Sequence, residues 1–312
     1  MTDTTPPTVQ PPTGPARDAK TRRIAVVVNR RSGSADIDLD ALVERMRGDG
    51  AEIVSVAAAE DPSGLDGLLR DAADAADTIA LGGGDGTISA ALDLFRETGR
   101  TLGILPLGTA NDLARSLGIP LDPLEAADIV RTGTPRRIDL GDINGRLFCN
   151  AVSLGFPVAL ARHQDSDRKK WLGLLAYPLL WLEADREYEP LRLTLRHDGT
   201  ETTLDNVFTL TVMNGRYHGG GLSVDDVSQI DDGMLKIYCL RELGKWRLLR
   251  ALVSLKRGRL FRESGTLLVR AGEVRIASGR TLSINVDGDV SAETPAGITV
   301  LPGAIEAIAP DR

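Results

Sequence analysis

The chain has 312 residues, 42% of them hydrophobic and 26% charged, and a formal net charge of −7 at pH 7. This is the balance of a soluble globular protein with one large or two ordinary domains, and its negative sign gives no electrostatic reason to expect a nucleic-acid partner. No run approaches the roughly 20 apolar residues of a membrane-spanning helix. The two cysteines, Cys149 and Cys239, lie in apolar segments without CxxC spacing, which supports neither a disulfide framework nor a zinc site and fits buried thiols in a reducing cytosol.

Residues 1–20 are polar and carry Pro6, Pro7, Pro11, Pro12 and Pro15 with no apolar core, so they read as a disordered tail and not as a secretory leader. Arg22 to Asn29 is β-branched and almost continuously apolar, the signature of a buried strand. A polar turn, Asn29-Arg30-Arg31-Ser32-Gly33, precedes a helix over Leu39 to Arg47. A second strand over Ala51 to Ala57 and a second helix over Ser63 to Ala76 follow.

The next strand, Asp77 to Leu81, runs into Gly82-Gly83-Gly84-Asp85-Gly86-Thr87 and then a helix from Ile88 to Phe95. Glycines permit positive φ and let a ligand approach the main chain. Successive N–H groups backed by a helix N-terminus cradle phosphate. Asp85 inside such a cradle would repel phosphate unless a cation stood between them, so the implied occupant is a nucleotide phosphate with Mg²⁺. The plainer alternative is a tight β-α turn with a solvated acid; the loop fits neither the Walker A nor the GxGxxG pattern. A fourth strand, Thr101 to Pro106, leads to Leu107-Gly108-Thr109-Ala110-Asn111-Asp112 and a short helix over Leu113 to Leu117. Strands alternating with helices imply a parallel sheet covered on both faces, with ligands beyond the strands' carboxyl ends. The three polar loops leave that edge.

After about Pro135 the pattern changes. Arg137 to Ile143, a turn at Asn144-Gly145, and Arg146 to Asn150 read as a hairpin. Period-2 runs follow at 191–196, 203–213, 235–239, 266–269, 274–277, 282–286 and 298–301, pointing to an antiparallel sandwich or barrel. The expectation is therefore α/β plus all-β, with residues 21–134 and 135–312 as the two domains and the last residues able to pack back on the first. Two segments interrupt the β region. Trp171 to Leu182 is apolar and broken by Pro178, just after Arg168-Lys169-Lys170. Residues 241–262 hold eight Lys/Arg against one acid, Glu242, with Trp246, Leu249, Leu252, Val253 and Leu255 near a helical stripe. This composition suits a peripheral membrane contact; an ordinary solvated surface helix has the same pattern. His163, His197 and His218 show no metal-ligand spacing.

Gly82 to Thr87, Gly108-Thr-Ala-Asn-Asp-Leu-Ala-Arg115, Ile138-Asp139-Leu-Gly, Phe148-Cys149-Asn150, Gly219 to Gly221, Asp231-Asp232-Gly233 and Val286-Asp287-Gly288-Asp289 form an ordered series. Together they resemble the diacylglycerol kinase catalytic domain family, which spans bacterial soluble lipid kinases and sphingosine and ceramide kinases. The likeness covers Arg22 to Pro310. It implies a Rossmann-like α/β domain of the NAD-kinase/phosphofructokinase type followed by a C-terminal β-sandwich. It also implies ATP and Mg²⁺ as cofactors and a lipid hydroxyl, diacylglycerol-like, as acceptor.

By that resemblance Asn29, Ser32, Gly33, the run Gly82 to Thr87, Gly108, Thr109, Asn111, Asp112, Arg115 and Asp139 form the nucleotide side, with Asp85 and Asp139 near the Mg²⁺. Asp112 and Arg115, three apart on a helix, can pair; Asn111 or Asp112 can equally cap that helix. Asp287 is the expected general base, since an attacking hydroxyl must lose a proton and a positioned carboxylate can accept it. Asp-Gly between alternating runs also reads as a hairpin turn. Asp289 stands where the family has Glu, a second candidate near the metal. Some members hold a structural Mg²⁺ on the Asp-Asp-Gly loop, where Asp232 and the carbonyl of Met234 fit and Gln229 replaces a carboxylate. Arg30 stands in place of the family's proline. The expected location is cytoplasmic and peripheral at the membrane through 168–182 and 241–262, without nucleic acid; a homodimer stays open. NAD kinase, which shares the GGDGT loop, and an inactive lipid- or nucleotide-binding regulator are the alternatives.

Overall fold

A computed structural model describes residues 21–32, 38–48, 50–155, 158, 191–223, 228–241 and 266–311. The first half runs β1 (Arg22–Asn29), α1 (Leu39–Met46), β2 (Ala51–Ala59), α2 (Leu65–Ala75), β3 (Thr78–Gly83), α3 (Asp85–Thr98), β4 (Thr101–Pro106), α4 (Asp112–Leu117) and α5 (Pro123–Thr132). The second runs β5 (Thr134–Ile143), β6 (Arg146–Phe148), β7 (Ala151–Gly155), β8 (Leu191–His197), β9 (Thr200–Asn214), β10 (Tyr217–His218), β11 (Leu222–Ser223) and β12 (Leu235–Arg241). It closes with β13 (Thr266–Ala271), β14 (Glu273–Ser278), β15 (Ser283–Val286), β16 (Asp289–Glu293) and β17 (Ala296–Ala309).

In the first half β4-β3-β1-β2 pair in parallel. Their side chains alternate between two cores, as period 2 requires. Ile24, Val26 and Val28 of β1 meet Leu42, Val43 and Met46 of α1 and Val130 of α5. Ala25 and Val27 face the other side, with Leu65, Leu69, Leu92 and Phe95 of α2 and α3. Asp122 caps α5 through the amides of Leu124 and Glu125, with Pro123 in its first turn. Arg22 covers its other end, donating to the carbonyls of Val130, Arg131 and Gly133 at 2.5–3.1 Å.

The second half is antiparallel. β15-β7-β9-β8-β14 follow one another, β12 adds to β9 and β13 to β12, and their inner faces enclose Phe148, Leu154, Leu210, Ile237, Ile276 and Ile298. The fold is thus an α/β domain followed by a β-sandwich, as the patterning implies. β17 joins the two. It pairs with β14 and β5 along its length and lies parallel to β4 at Glu306–Thr101 and Ala307–Leu102. The tail 1–20, Gly33 and the segments 168–182 and 242–262 lie outside the described residues.

Candidate active site

The glycine run is shorter as a loop than its sequence implies. Gly82 and Gly83 belong to β3, paired with Leu105 and Pro106 of β4, and Asp85 already opens α3. Gly84 alone makes the turn, and it needs to be glycine because a second loop presses on it. A Cβ on Gly108 would stand 2.5 Å from the Gly84 Cα, and one on Gly84 would meet the Gly108 Cα at 3.1 Å. Asn111, at φ +51°, staples that second loop: its Oδ1 accepts from the Gly108 amide and its Nδ2 donates to the Gly108 carbonyl.

The polar residues of the first loop close on the same point. Asn29 Nδ2 donates to Thr87 Oγ1 at 3.0 Å, and Ser32 Oγ lies 2.9 Å from that hydroxyl. Thr109 is exposed on the second loop and Gly86 on the first turn of α3.

Three carboxylates meet beside these loops. Asp85 Oδ1 accepts from the amides of Asp112 and Leu113 at 2.8 and 3.3 Å, so it caps α4 from across the site. Asn150 Nδ2 adds a third bond to Oδ1 at 3.1 Å, while Oδ2 takes no hydrogen bond among the described residues. Asp112, 3% exposed, accepts from the amides of Gly220 and Gly221 at 2.9 and 2.7 Å. It forms no contact pair with Arg115, contrary to the sequence reading: Arg115 Nε instead donates to the Ala110 carbonyl, and its charge reaches Asp112 only through space.

Asp287 forms the two-residue turn between β15 and β16 with Gly288, at φ +47° and +99°, so the hairpin reading holds. The turn aims its carboxylate inward. Oδ1 accepts from the amides of Asn150 and Ala151, Oδ2 from the amide of Cys149 at 2.8 Å and, at 3.4 Å, from its thiol. Burial pushes all three acids above the ordinary carboxylate range. At Asp85 the neighbouring charge of Asp112 adds to burial, and at Asp112 the charge of Asp287 does so. The Cys149 thiol is driven well above its usual value by burial and by Asp287 and Asp85, so it stays protonated.

Asn150 is the residue that sequence reasoning missed. Its backbone amide holds Asp287 and its side chain holds Asp85, so one residue spans the two acids. Its motif was visible, but its position between two carboxylates depends on β7 pairing with β15. The run Gly219 to Gly221 likewise carries no local sign that its amides meet Asp112.

Two expected site residues have their carboxylates engaged with other partners. Asp139 is a structural clasp: its oxygens accept from the amides of Gly303 and Gly233 at 2.8 and 2.7 Å, leaving it committed to the seam with β17. Asp289 is exposed and pairs with Arg146 at 3.2 Å on the outside of its hairpin. The turn of Gln229, Asp232 and Met234 does not fit a metal either. Asp232 is bonded to Lys236 and Arg270, and the Gln229 carbonyl also receives the Lys236 ammonium. No cluster of three or more His, Cys, Asp or Glu side chains among the described residues is arranged to hold a metal by itself. Asp85, with one unbonded oxygen beside two further acids, does fit a hard cation whose remaining ligands come from phosphate and water.

Comparison with known proteins agrees with this architecture. The profile of the diacylglycerol kinase catalytic domain matches residues 23–143, and that of the YegS C-terminal NAD kinase beta sandwich-like domain matches 150–309. A kinase-type α/β domain followed by this sandwich defines the class. The chain belongs to the diacylglycerol kinase family of lipid kinases. A protein of Mycobacterium tuberculosis named diacylglycerol kinase is 30% identical over 275 residues, 86% of this chain and 88% of that one. A YegS-like protein of Chromohalobacter salexigens is 32% identical over 251 residues, 78% and 80% of the two chains. The crystal structure of a diacylglycerol kinase from Bacillus anthracis superposes with a TM-score of 0.73 at 24% identity, over 92% of this chain and 97% of that one, which shows the shared fold.

Proposed function

We propose that the protein transfers the γ-phosphate of ATP to a lipid hydroxyl of diacylglycerol type, with Mg²⁺ as cofactor. The observation that carries this reading is the link Asp85–Asn150–Asp287, which fixes an acid at the glycine loop against an acid of the sandwich. The α3 N-terminus and the polar groups of Asn29, Ser32 and Thr87 receive the phosphates. Asp85 would hold Mg²⁺ through Oδ2, and the cation supplies neutralisation of phosphate charge. The lipid hydroxyl loses its proton to Asp287 as its oxygen bonds to the γ-phosphorus, and the bond from that phosphorus to the bridging oxygen breaks, releasing ADP. Oδ2 of Asp287 is the oxygen with room for that proton, because the thiol is a weak donor that a hydroxyl can displace. The basic, Trp-bearing composition of 241–262 and the apolar run in 168–182 support access from a membrane surface. No helix among the described residues is long and apolar enough to cross a membrane.

The test is γ-³²P transfer from ATP to a panel of lipids in mixed micelles, with NAD present as a soluble acceptor. A Mg²⁺-requiring, solvent-extractable product lost in Asp287→Ala, with ATP binding retained, supports the proposal. Label only in a nucleotide product refutes it in favour of NAD phosphorylation.

A further inference from the structure

Lys236 is the one lysine among the largest fully buried side chains of the described residues, at 0% exposure. Period 2 alone would place it outward on β12, since Leu235 and Ile237 fill the sandwich core. The turn 229–234 folds over it instead. Its ammonium donates to Asp232 Oδ1 at 2.8 Å and to the Gln229 carbonyl at 2.9 Å. Those are the lengths of charge-assisted hydrogen bonds.

The turn is closed around that charge. Asp232 Oδ1 also accepts from the Met234 amide, and Oδ2 from the Gln229 amide and from Arg270 at 2.6 Å. Asp231 next to it pairs with Arg136 at 2.8 Å. Among the described residues, Asp231 and Asp232 are thus each engaged by cations, Asp232 by Lys236 and Arg270 and Asp231 by Arg136. A hard divalent ion needs six or so oxygen ligands, and the two best placed here already point at nitrogen.

The same turn connects the domains. The Ile230 carbonyl accepts from the Asp139 amide, the Gly233 amide donates to the Asp139 carboxylate, and the Ile230 side chain is buried in the core of the first domain. A charge at its centre thus holds the interdomain seam.

We infer that Lys236 is a tethered counter-ion filling the cation position of the 229–234 turn, so that this seam forms without a divalent metal. The inference concerns the nucleotide-free protein and stands apart from the phosphoryl-transfer reading. It is tested by thermal unfolding of the full chain in EDTA and in millimolar MgCl₂, without ATP. The wild type is expected to unfold within about 1 °C in both, and Lys236→Met to unfold roughly 5–10 °C lower, as removal of one partner from a buried pair predicts. Lys236→Asp, which places a carboxylate beside Asp232, is expected to gain a Mg²⁺-dependent rise in Tm. A Mg²⁺-dependent rise in the wild type that disappears in Asp232→Asn would overturn the inference, and so would a Lys236→Met protein as stable as the wild type. A folded Lys236→Asp protein indifferent to Mg²⁺ would also count against it. If that variant does not fold, the wild-type and Asp232→Asn pair decides: a wild-type rise that persists in Asp232→Asn belongs to Asp85 and supports the assignment.

Discussion

Asp287→Asn is the substitution whose consequence the structure defines most closely. Asn is well suited to the left-handed backbone conformation that Asp287 occupies at φ +47°, so the turn itself is not disturbed. The side chain is another matter. Both oxygens of Asp287 face donors: the amides of Asn150 and Ala151 on one, the amide and thiol of Cys149 on the other. An amide offers one acceptor and one donor. The less costly orientation keeps oxygen toward Asn150 and Ala151 and turns NH₂ against the Cys149 N–H. One buried N–H is then orphaned, at about 1–3 kcal/mol, and the two remaining bonds lose their charge assistance, for a total of roughly 2–4 kcal/mol. In a chain of this size that lowers Tm by about 3–6 °C. Differential scanning calorimetry of the ligand-free protein reads it directly. Because the proposed general base is also removed, phosphoryl transfer should fall on the order of 10²-fold or more. An Asn variant unfolding within about 1 °C of the wild type would show that the carboxylate is not held by these amides, and the argument for its placement would fail.

Gly108→Ala forces a Cβ to within 2.5 Å of the Gly84 backbone, and spreading the two loops should raise the KM for ATP while lowering stability by about 1–3 kcal/mol, read by initial rates and chemical denaturation. Asn150→Ala removes the bond to Asp85 but keeps the backbone amide on Asp287. It should reduce kcat by roughly 10- to 150-fold, as expected for a bond to a charged group of about 1.5–3 kcal/mol, with little change in the circular dichroism spectrum. The pH profile follows from the sign of the shifts. On the proposed mechanism Asp287 acts as base only when ionised, and burial raises its pKa, so kcat/KM should climb with pH through a limb lying above the ordinary carboxylate range. A limb at or below that range, measured in the wild type, would contradict the assignment.

Much of this was readable from local pattern. β1 spans Arg22–Asn29 as the apolar run implies, the Asn144-Gly145 hairpin is present, and the three loops converge because a parallel sheet brings them to one edge. α5 lies outside the sequence expectations although Asp122-Pro123 and Gly133 mark its two ends. What escaped depends on distant pairing. Alternation places Lys236 in solvent, but the adjacent turn 229–234, seated against Asp139 and the first core, covers it. Asp139 carries a family motif, yet its oxygens are claimed by amides 94 and 164 residues away. The strand expected at 298–301 extends to Ala309 because the edge of β4 is there to receive it.

That last strand sets the order in which the molecule can be made. β4 is complete once Pro106 has been synthesised, but its neighbour on one side, β17, arrives about two hundred residues later. Until then the edge of β4 is an unpaired template for other chains, the usual starting point for aggregation. Closing such a long loop is slow relative to local pairing. The first half is therefore expected to depend on the end of the chain for its fold. A fragment ending near residue 134 should be insoluble where the whole chain is not, and supplying residues 296–309 as a separate peptide should recover it.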